Sequence, residues 1–204
     1  MIAKRVQNYR NFWGQWALAT AVGFAVGGML SLPIAYGLGE IVMDATNETF
    51  GFAITGALFG IFVGGGLGLG QQLVLRFSTG WGRNWALVSA LAAAIVWAIA
   101  FPAIIAADQP MKSVNGVVIA VSFGLALGIG QWLVLRNHLP QASRWLLVTS
   151  VSLALAIGVS LTLDGEGREL LTMAVAGILT GALTGLGMVW ILRDSPSTDL
   201  AATS

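Results

Sequence analysis

Long apolar runs bounded by small clusters of charge constrain this chain more than any other feature. A hydrocarbon core about 30 Å thick takes roughly 20 apolar residues as a helix. Runs of that length occupy residues 16–38, 50–75, 85–106, 114–135, 145–163 and 170–192. Only 9% of the residues are charged and 56% are hydrophobic, with a mean hydropathy of +0.82, so the runs have no polar remainder large enough to coat a water-soluble domain. The expected fold class is therefore all-α: an integral membrane six-helix bundle forming a single transmembrane domain over residues 1–204. The first run follows Lys4, Arg5 and Arg10 as a signal peptide would, yet it continues past Pro33 and matches later runs, so it reads as a retained helix.

Six spans place both ends on one side of the membrane. Eight of the ten basic residues, Lys4, Arg5, Arg10, Arg76, Arg83, Arg136, Arg144 and Arg193, fall on that side, and only Lys112 and Arg168 oppose them. Positive loops stay inside, so both termini are expected in the cytoplasm, with 194–204 as a short flexible tail. Most acids, Glu40, Asp44, Glu48, Asp108, Asp164, Glu166 and Glu169, lie opposite; Asp194 and Asp199 are inside. Trp13, Trp16, Trp81, Trp85, Trp132, Trp145 and Trp190 cluster near the cytoplasmic boundary, where an indole can bury its ring and keep its N–H wet. Trp16, Trp85 and Trp145, with Arg76, Arg136 and Arg193, are accordingly read as interface anchors.

The runs repeat internally. Gly68-Leu69-Gly70-Gln71-Gln72-Leu73-Val74-Leu75-Arg76 returns as Gly128-Ile129-Gly130-Gln131-Trp132-Leu133-Val134-Leu135-Arg136 and again as Gly185-Leu186-Gly187-Met188-Val189-Trp190-Ile191-Leu192-Arg193. Odd spans open alike, at Gln15-Trp16-Ala17-Leu18, Asn84-Trp85-Ala86-Leu87 and Arg144-Trp145-Leu146-Leu147. The unit is a helical hairpin, repeated over about 12–76, 83–136 and 144–193, with all copies in the same orientation. A pseudo-threefold arrangement follows as an expectation.

Even spans carry a ladder of small residues every fourth position: Gly56, Gly60, Gly64 and Gly68; Gly116, Ala120, Gly124 and Gly128; Gly177, Gly181 and Gly185. Such a stripe lets a second backbone approach closely enough for van der Waals packing to hold helices together in lipid. Spans 2, 4 and 6 are expected innermost, with the Leu-, Ile-, Val- and Phe-rich odd spans facing lipid.

The polar residues each admit two readings. Gln71 and Gln131 lie five residues inside an arginine, where an amide lines a site or, as is more ordinary in membranes, bridges two helices. Met188 in the third copy weakens a threefold ligand site. Arg76, Arg136 and Arg193 either read phosphates and acidic partners or snorkel to fix helix depth, the second being preferred. Pro33 and Pro102 either splay the outer helix ends or mark where those helices finish, and the second is again preferred. Trp97 lies about 18 Å beyond Trp85 at 1.5 Å per residue. Either the indole packs on a pigment, quinone or lipid tail, or, more commonly, its N–H finds a protein carbonyl or hydroxyl. Thr180 and Thr184 can bond back to their own helix.

Several chemistries are opposed. A net charge of +1 gives no basic surplus for nucleic acid, and there is no cysteine for a thiolate site. His138 is the sole histidine and has no second ligand beside it, so no metal is expected. The G-x-G run from Gly64 to Gly70 lies within an apolar helix rather than after a strand, which removes a dinucleotide reading. No predicted span contains a carboxylate, against ion-coupled transport, and no nucleophile has a base with an orienting partner, so no catalytic residues are assigned.

The copies of G-x-G-Q-[QW]-L-V-L-R followed by a loop and a tryptophan-led helix resemble a group of repeat-containing bacterial polytopic membrane proteins, notably from cyanobacteria and other phototrophic lineages. Members carry no assigned activity, so no site residue is transferred. The resemblance implies a bacterial plasma membrane, or a thylakoid if the source is a cyanobacterium. Function is expected to be that of a non-enzymatic structural or accessory subunit, whose partners are the lipid bilayer and other membrane subunits or further copies of the chain. A small transporter or channel, and a protein binding pigment, quinone or lipid, are the alternatives; no cofactor is predicted beyond such a bound lipid or pigment.

Overall fold

Asn8 starts the first helix by capping it: its Oδ1 accepts hydrogen bonds of 3.1 Å from the N–H groups of Arg10 and Asn11, two of the donors a helix start leaves unpaired. The computed structural model describes residues 8–107, 114–163 and 168–194. They form α1 (Tyr9–Ala45), α2 (Glu48–Thr79), α3 (Trp85–Ala107), α4 (Val114–Leu135), α5 (Arg144–Leu163) and α6 (Glu169–Asp194). Five of these helices are long and apolar enough to cross a membrane, while α5 offers a shorter apolar stretch over Arg144–Ser160. Lys4, Arg5, Asp108, Lys112, Asp164, Glu166, Asp199 and the expected tail beyond Asp194 lie outside the described residues.

The first hairpin is longer than its apolar runs predict. α1 has 37 residues and α2 has 32, so at 1.5 Å per residue they reach about 55 and 48 Å, well beyond the hydrocarbon core. The residues expected to form an outer loop are helical instead, and Glu40, Asp44 and Glu48 are carried on helix ends. Close packing explains the extension. A Cβ on Gly51 would lie 2.9 Å from Met43 Cβ and 3.1 Å from the Gly39 carbonyl oxygen, so the paired backbones stay together past the apolar region. The turn is only Thr46 and Asn47, with Asn47 Oδ1 accepting from the Phe50 N–H at 3.0 Å. Pro33 and Pro102 sit inside α1 and α3 rather than at their ends, which corrects the preferred sequence reading.

Each helix packs mainly on its two neighbours in chain order, and α6 closes the cycle against α1. The even helices are therefore not an inner trio. They alternate with odd helices around a ring, and both sets send side chains to the middle. The small-residue ladders explain the difference, because each faces the next odd helix. A Cβ on Gly56 would lie 2.7 Å from the Trp97 carbonyl carbon, on Gly60 2.5 Å from that of Ala93, and on Gly64 2.6 Å from the Ser89 carbonyl oxygen. Gly124 would meet Ser150 Cα at 2.6 Å, Gly177 would meet Ala21 Cα at 3.3 Å, and Gly181 the Ala17 carbonyl oxygen at 2.5 Å. Gly116 and Ala120 are buried on α4.

The G-x-G pairs have a related logic. Residues two apart point roughly 200° away from each other on a helix with 3.6 residues per turn. The first glycine therefore faces the following odd helix: Gly68 faces Ser89 and Ala86, Gly128 faces Thr149 and Leu146, and Gly185 faces Trp13 and Trp16. The second faces the odd helix of its own hairpin, Gly70 against Ala19, Gly130 against Val88 and Gly187 against Val148. Each even helix is thinned on two sides and wedged between two odd ones.

Two apolar clusters fill the middle of the ring. One contains Phe12, Trp16, Leu75, Trp85, Leu135, Trp145, Met188 and Ile191. The other contains Phe24, Leu67, Ala93, Trp97, Phe123, Leu127 and Leu153. On the outside, Leu18, Leu87 and Leu147, two residues after Trp16, Trp85 and Trp145, are exposed by 68%, 59% and 65%.

Candidate functional site

The residues that recur in the sequence meet at the first of these clusters. Trp16, Trp85 and Trp145 come from α1, α3 and α5, and their ring centroids are 6.1, 5.9 and 5.7 Å apart, each pair in contact. Edge-to-face or tilted pairs of this kind contribute about 0.5–1.5 kcal/mol each beyond area burial. All three indoles are 0% exposed, so their reading as interface anchors is corrected: their N–H groups are not wet.

A side chain from the neighbouring even helix replaces that water. Trp85 Nε1 donates to Gln71 Oε1 at 2.8 Å, and Trp145 Nε1 donates to Gln131 Oε1 at 2.8 Å. At the seam that closes the ring, Trp16 Nε1 donates to Thr184 Oγ1 at 3.0 Å. Thr184 lies one turn before Met188, so a hydroxyl deeper on the same face does for Trp16 what the glutamines do elsewhere.

The glutamines also join each other. Gln131 Nε2 donates to Gln71 Oε1 at 3.2 Å and to Ser89 Oγ at 2.8 Å, tying α2, α3 and α4 together. Ser89 donates to the Trp85 carbonyl at 2.8 Å, Thr149 to that of Trp145 at 2.6 Å, and Thr184 to that of Thr180 at 2.6 Å. The sequence reading overlooked Ser89 and Thr149. Their signal was present as Trp-x-x-x-Thr, Trp-x-x-x-Ser and Trp-x-x-x-Thr at Trp16–Thr20, Trp85–Ser89 and Trp145–Thr149. A hydroxyl one turn along from each indole shares its face.

Every group hydrogen-bonded in this network is a neutral amide, indole, hydroxyl or backbone carbonyl. Such a set can hold helices in register or accept one further hydrogen-bonding molecule, and it offers no strong base and no stabilised charge. Among the described residues, no three His, Cys, Asp or Glu side chains are grouped to hold a metal ion.

The remaining candidates lie apart. Trp97 packs with Phe59, Phe101 and Phe123 at centroid distances of 4.9, 5.7 and 5.9 Å. Its Nε1 has no hydrogen-bond partner among the described residues, so the expected carbonyl or hydroxyl is not there. Arg136 lies over the Trp132 ring at 5.3 Å and Arg193 over the Tyr9 ring at 4.9 Å, while Arg76 is exposed. Trp81 stacks on His138 at 4.9 Å. Comparison with protein-family models, with curated proteins and with solved structures returned no match to this chain.

Proposed function

We propose that this chain is a non-enzymatic structural or accessory subunit of a larger membrane assembly. In this reading all six helices span the membrane as three parallel hairpins about a pseudo-threefold axis, with both termini in the cytoplasm of a bacterial plasma membrane or thylakoid. The carrying observation is that the recurring polar side chains hydrogen-bond one another in the interior, Trp85 to Gln71, Trp145 to Gln131 and Gln131 to Ser89. Polar groups committed to one another set helix register, worth about 0.6 kcal/mol per bond on average in a membrane protein. The outer surface is left apolar and suited to lipid or other helices. Three mutually touching indoles across the middle of the ring oppose an open axial path. The Trp97 N–H, without a partner among the described residues, favours a second reading, contact with a pigment or quinone.

Purification from native membranes in mild detergent, followed by mass spectrometry of co-purifying proteins and an absorption spectrum, tests this. Stoichiometric membrane partners are expected. A chain that purifies alone and conducts solute in vesicles would overturn the subunit reading, and a visible chromophore would replace it with the second.

A further inference from the structure

A groove of about 680 Å³ runs along the outside of the first hairpin. Its walls are Leu18, Val22 and Val26 on α1 and Leu69, Leu73 and Phe77 on α2. Its floor is thin because the two backbones nearly touch there: a Cβ on Gly23 would lie 2.8 Å from the Gly66 carbonyl carbon, and one on Gly70 2.7 Å from that of Ala19. The other hairpins carry larger residues at the positions aligned with Gly23 and Gly66, namely Ala92 and Ala126 in the second and Ser152 and Leu183 in the third. The channel thus belongs to a departure from the repeat rather than to the repeat itself.

The dimensions and polarity of the groove select its occupant. It runs from Gln15 to Val26 on α1 and from Gly66 to Phe77 on α2, about 16 Å on each helix at 1.5 Å per residue. Half of a 30 Å core is about 15 Å, so the groove is one leaflet long, whereas a spanning partner helix needs about twice that length. Polarity is confined to one end, where Gln15 lines the groove. Arg76 follows Leu73 by three residues and Leu69 by seven and directly precedes the wall residue Phe77, which puts it beside the groove at the same end as Gln15. It is exposed, and the ion pair found among the described residues, Arg144 with Asp194, does not involve it.

We propose that this groove binds one anionic phospholipid, its acyl chain along Val22, Gly23, Gly66 and Leu69 and its phosphate at Arg76 and Gln15. The site does not depend on the subunit reading, since it needs only the first hairpin in a bilayer.

Native mass spectrometry of the full chain, released from nanodiscs of equal phosphatidylglycerol and phosphatidylcholine, tests the assignment. One phosphatidylglycerol per chain should be retained in preference to phosphatidylcholine. Arg76→Gln should lower that preference about fivefold, the effect of one basic side chain at an anionic lipid surface. Val22→Trp and, from the opposite wall, Leu73→Trp should each expel the lipid while circular dichroism stays unchanged; Leu147→Trp on the exposed face of α5 should not. Equal retention of the two lipids would overturn the proposal. So would a tryptophan in either wall that leaves binding intact with the helices folded, or a photo-crosslinker at Val22 that captures a protein instead of lipid.

Discussion

Replacing Gln131 by methionine, the residue that the third hairpin carries at the matching position, should destabilise the bundle through one identifiable atom. Gln131 makes three contacts: it accepts from Trp145 Nε1 at 2.8 Å, and donates to Ser89 Oγ at 2.8 Å and Gln71 Oε1 at 3.2 Å. Two of its partners keep other bonds, because Ser89 still donates to the Trp85 carbonyl and Gln71 still accepts from Trp85. Those two losses cost about 0.6 kcal/mol each. Trp145 is different, being 0% exposed with Gln131 the acceptor for its indole N–H. Leaving that donor unpaired costs about 1–3 kcal/mol, and the sum is about 2–4 kcal/mol. Trp145→Phe removes the donor itself, so the double variant should be more stable than the two single losses added together predict. Unfolding in mixed micelles by titration with sodium dodecyl sulfate, followed by far-ultraviolet circular dichroism, measures each corner of the cycle. A coupling of about 1–3 kcal/mol is expected. Additivity to within about 0.5 kcal/mol would refute the idea that the indole and amide act as a pair.

The closing seam gives an isosteric comparison: Thr184→Val removes the acceptor for Trp16 and should cost about 1–3 kcal/mol, whereas Thr180→Val removes a buried hydroxyl without a partner among the described residues and should be neutral or stabilising. The same micelle titration measures both. Gly124→Ala should weaken the bundle, since its Cβ would lie 2.6 Å from Ser150 Cα. Gly158→Ala, with nothing within 4 Å, should be neutral or gain up to about 1 kcal/mol of helix propensity, as thermal unfolding in detergent will tell. The chain has no cysteine, so single cysteines at Asn137 and Glu40 report sidedness without background. A membrane-impermeant maleimide added to whole cells should label the second and not the first, and the reverse pattern would invert the orientation.

The apolar runs made the helices countable, and small residues every fourth position marked where backbones meet. Two things were hidden, both for want of direction rather than depth. Hydropathy gave Trp16, Trp85 and Trp145 a position along their helices but said nothing of which way they point. An indole near the boundary has two means of satisfying its N–H, water or a neighbouring polar side chain, and both fit the same hydropathy. The face was legible from the flanking residues. Leucine two positions on, at Leu18, Leu87 and Leu147, is exposed, while the hydroxyl four positions on, at Thr20, Ser89 and Thr149, is buried. The long first hairpin was hidden differently. Gly37, Gly39 and Pro33 resemble helix-ending residues, and only the neighbouring helix makes Gly39 a packing residue: its Cβ would lie 3.1 Å from Thr55 Cβ.

The third copy's departure from the motif has its consequence at the ring's one seam without a connecting loop. α2 leads into α3 and α4 into α5 through short segments, and at each the indole is held by a glutamine. α6 meets α1 with no covalent link, and there Met188 stands where the glutamine would be. The seam gains other contacts: Trp13 Nε1 donates to the Ala182 carbonyl at 3.0 Å, and Arg193 lies over Tyr9 at 4.9 Å. It also carries Thr20 and Thr180, two buried hydroxyls without partners among the described residues. Each unpaired hydroxyl costs about 1–3 kcal/mol. The added hydrogen bond and cation–π contact return about 0.5–1 kcal/mol each. Against that cost stand the bond from Trp16 Nε1 to Thr184 Oγ1 at 3.0 Å and a contact between α1 and α6 that is more extensive than those of α3 with α4 or α5 with α6. The loss of one glutamine is therefore offset where it occurs: a hydroxyl one turn away takes over the Trp16 N–H, and wide packing of α6 on α1 closes the ring without a loop.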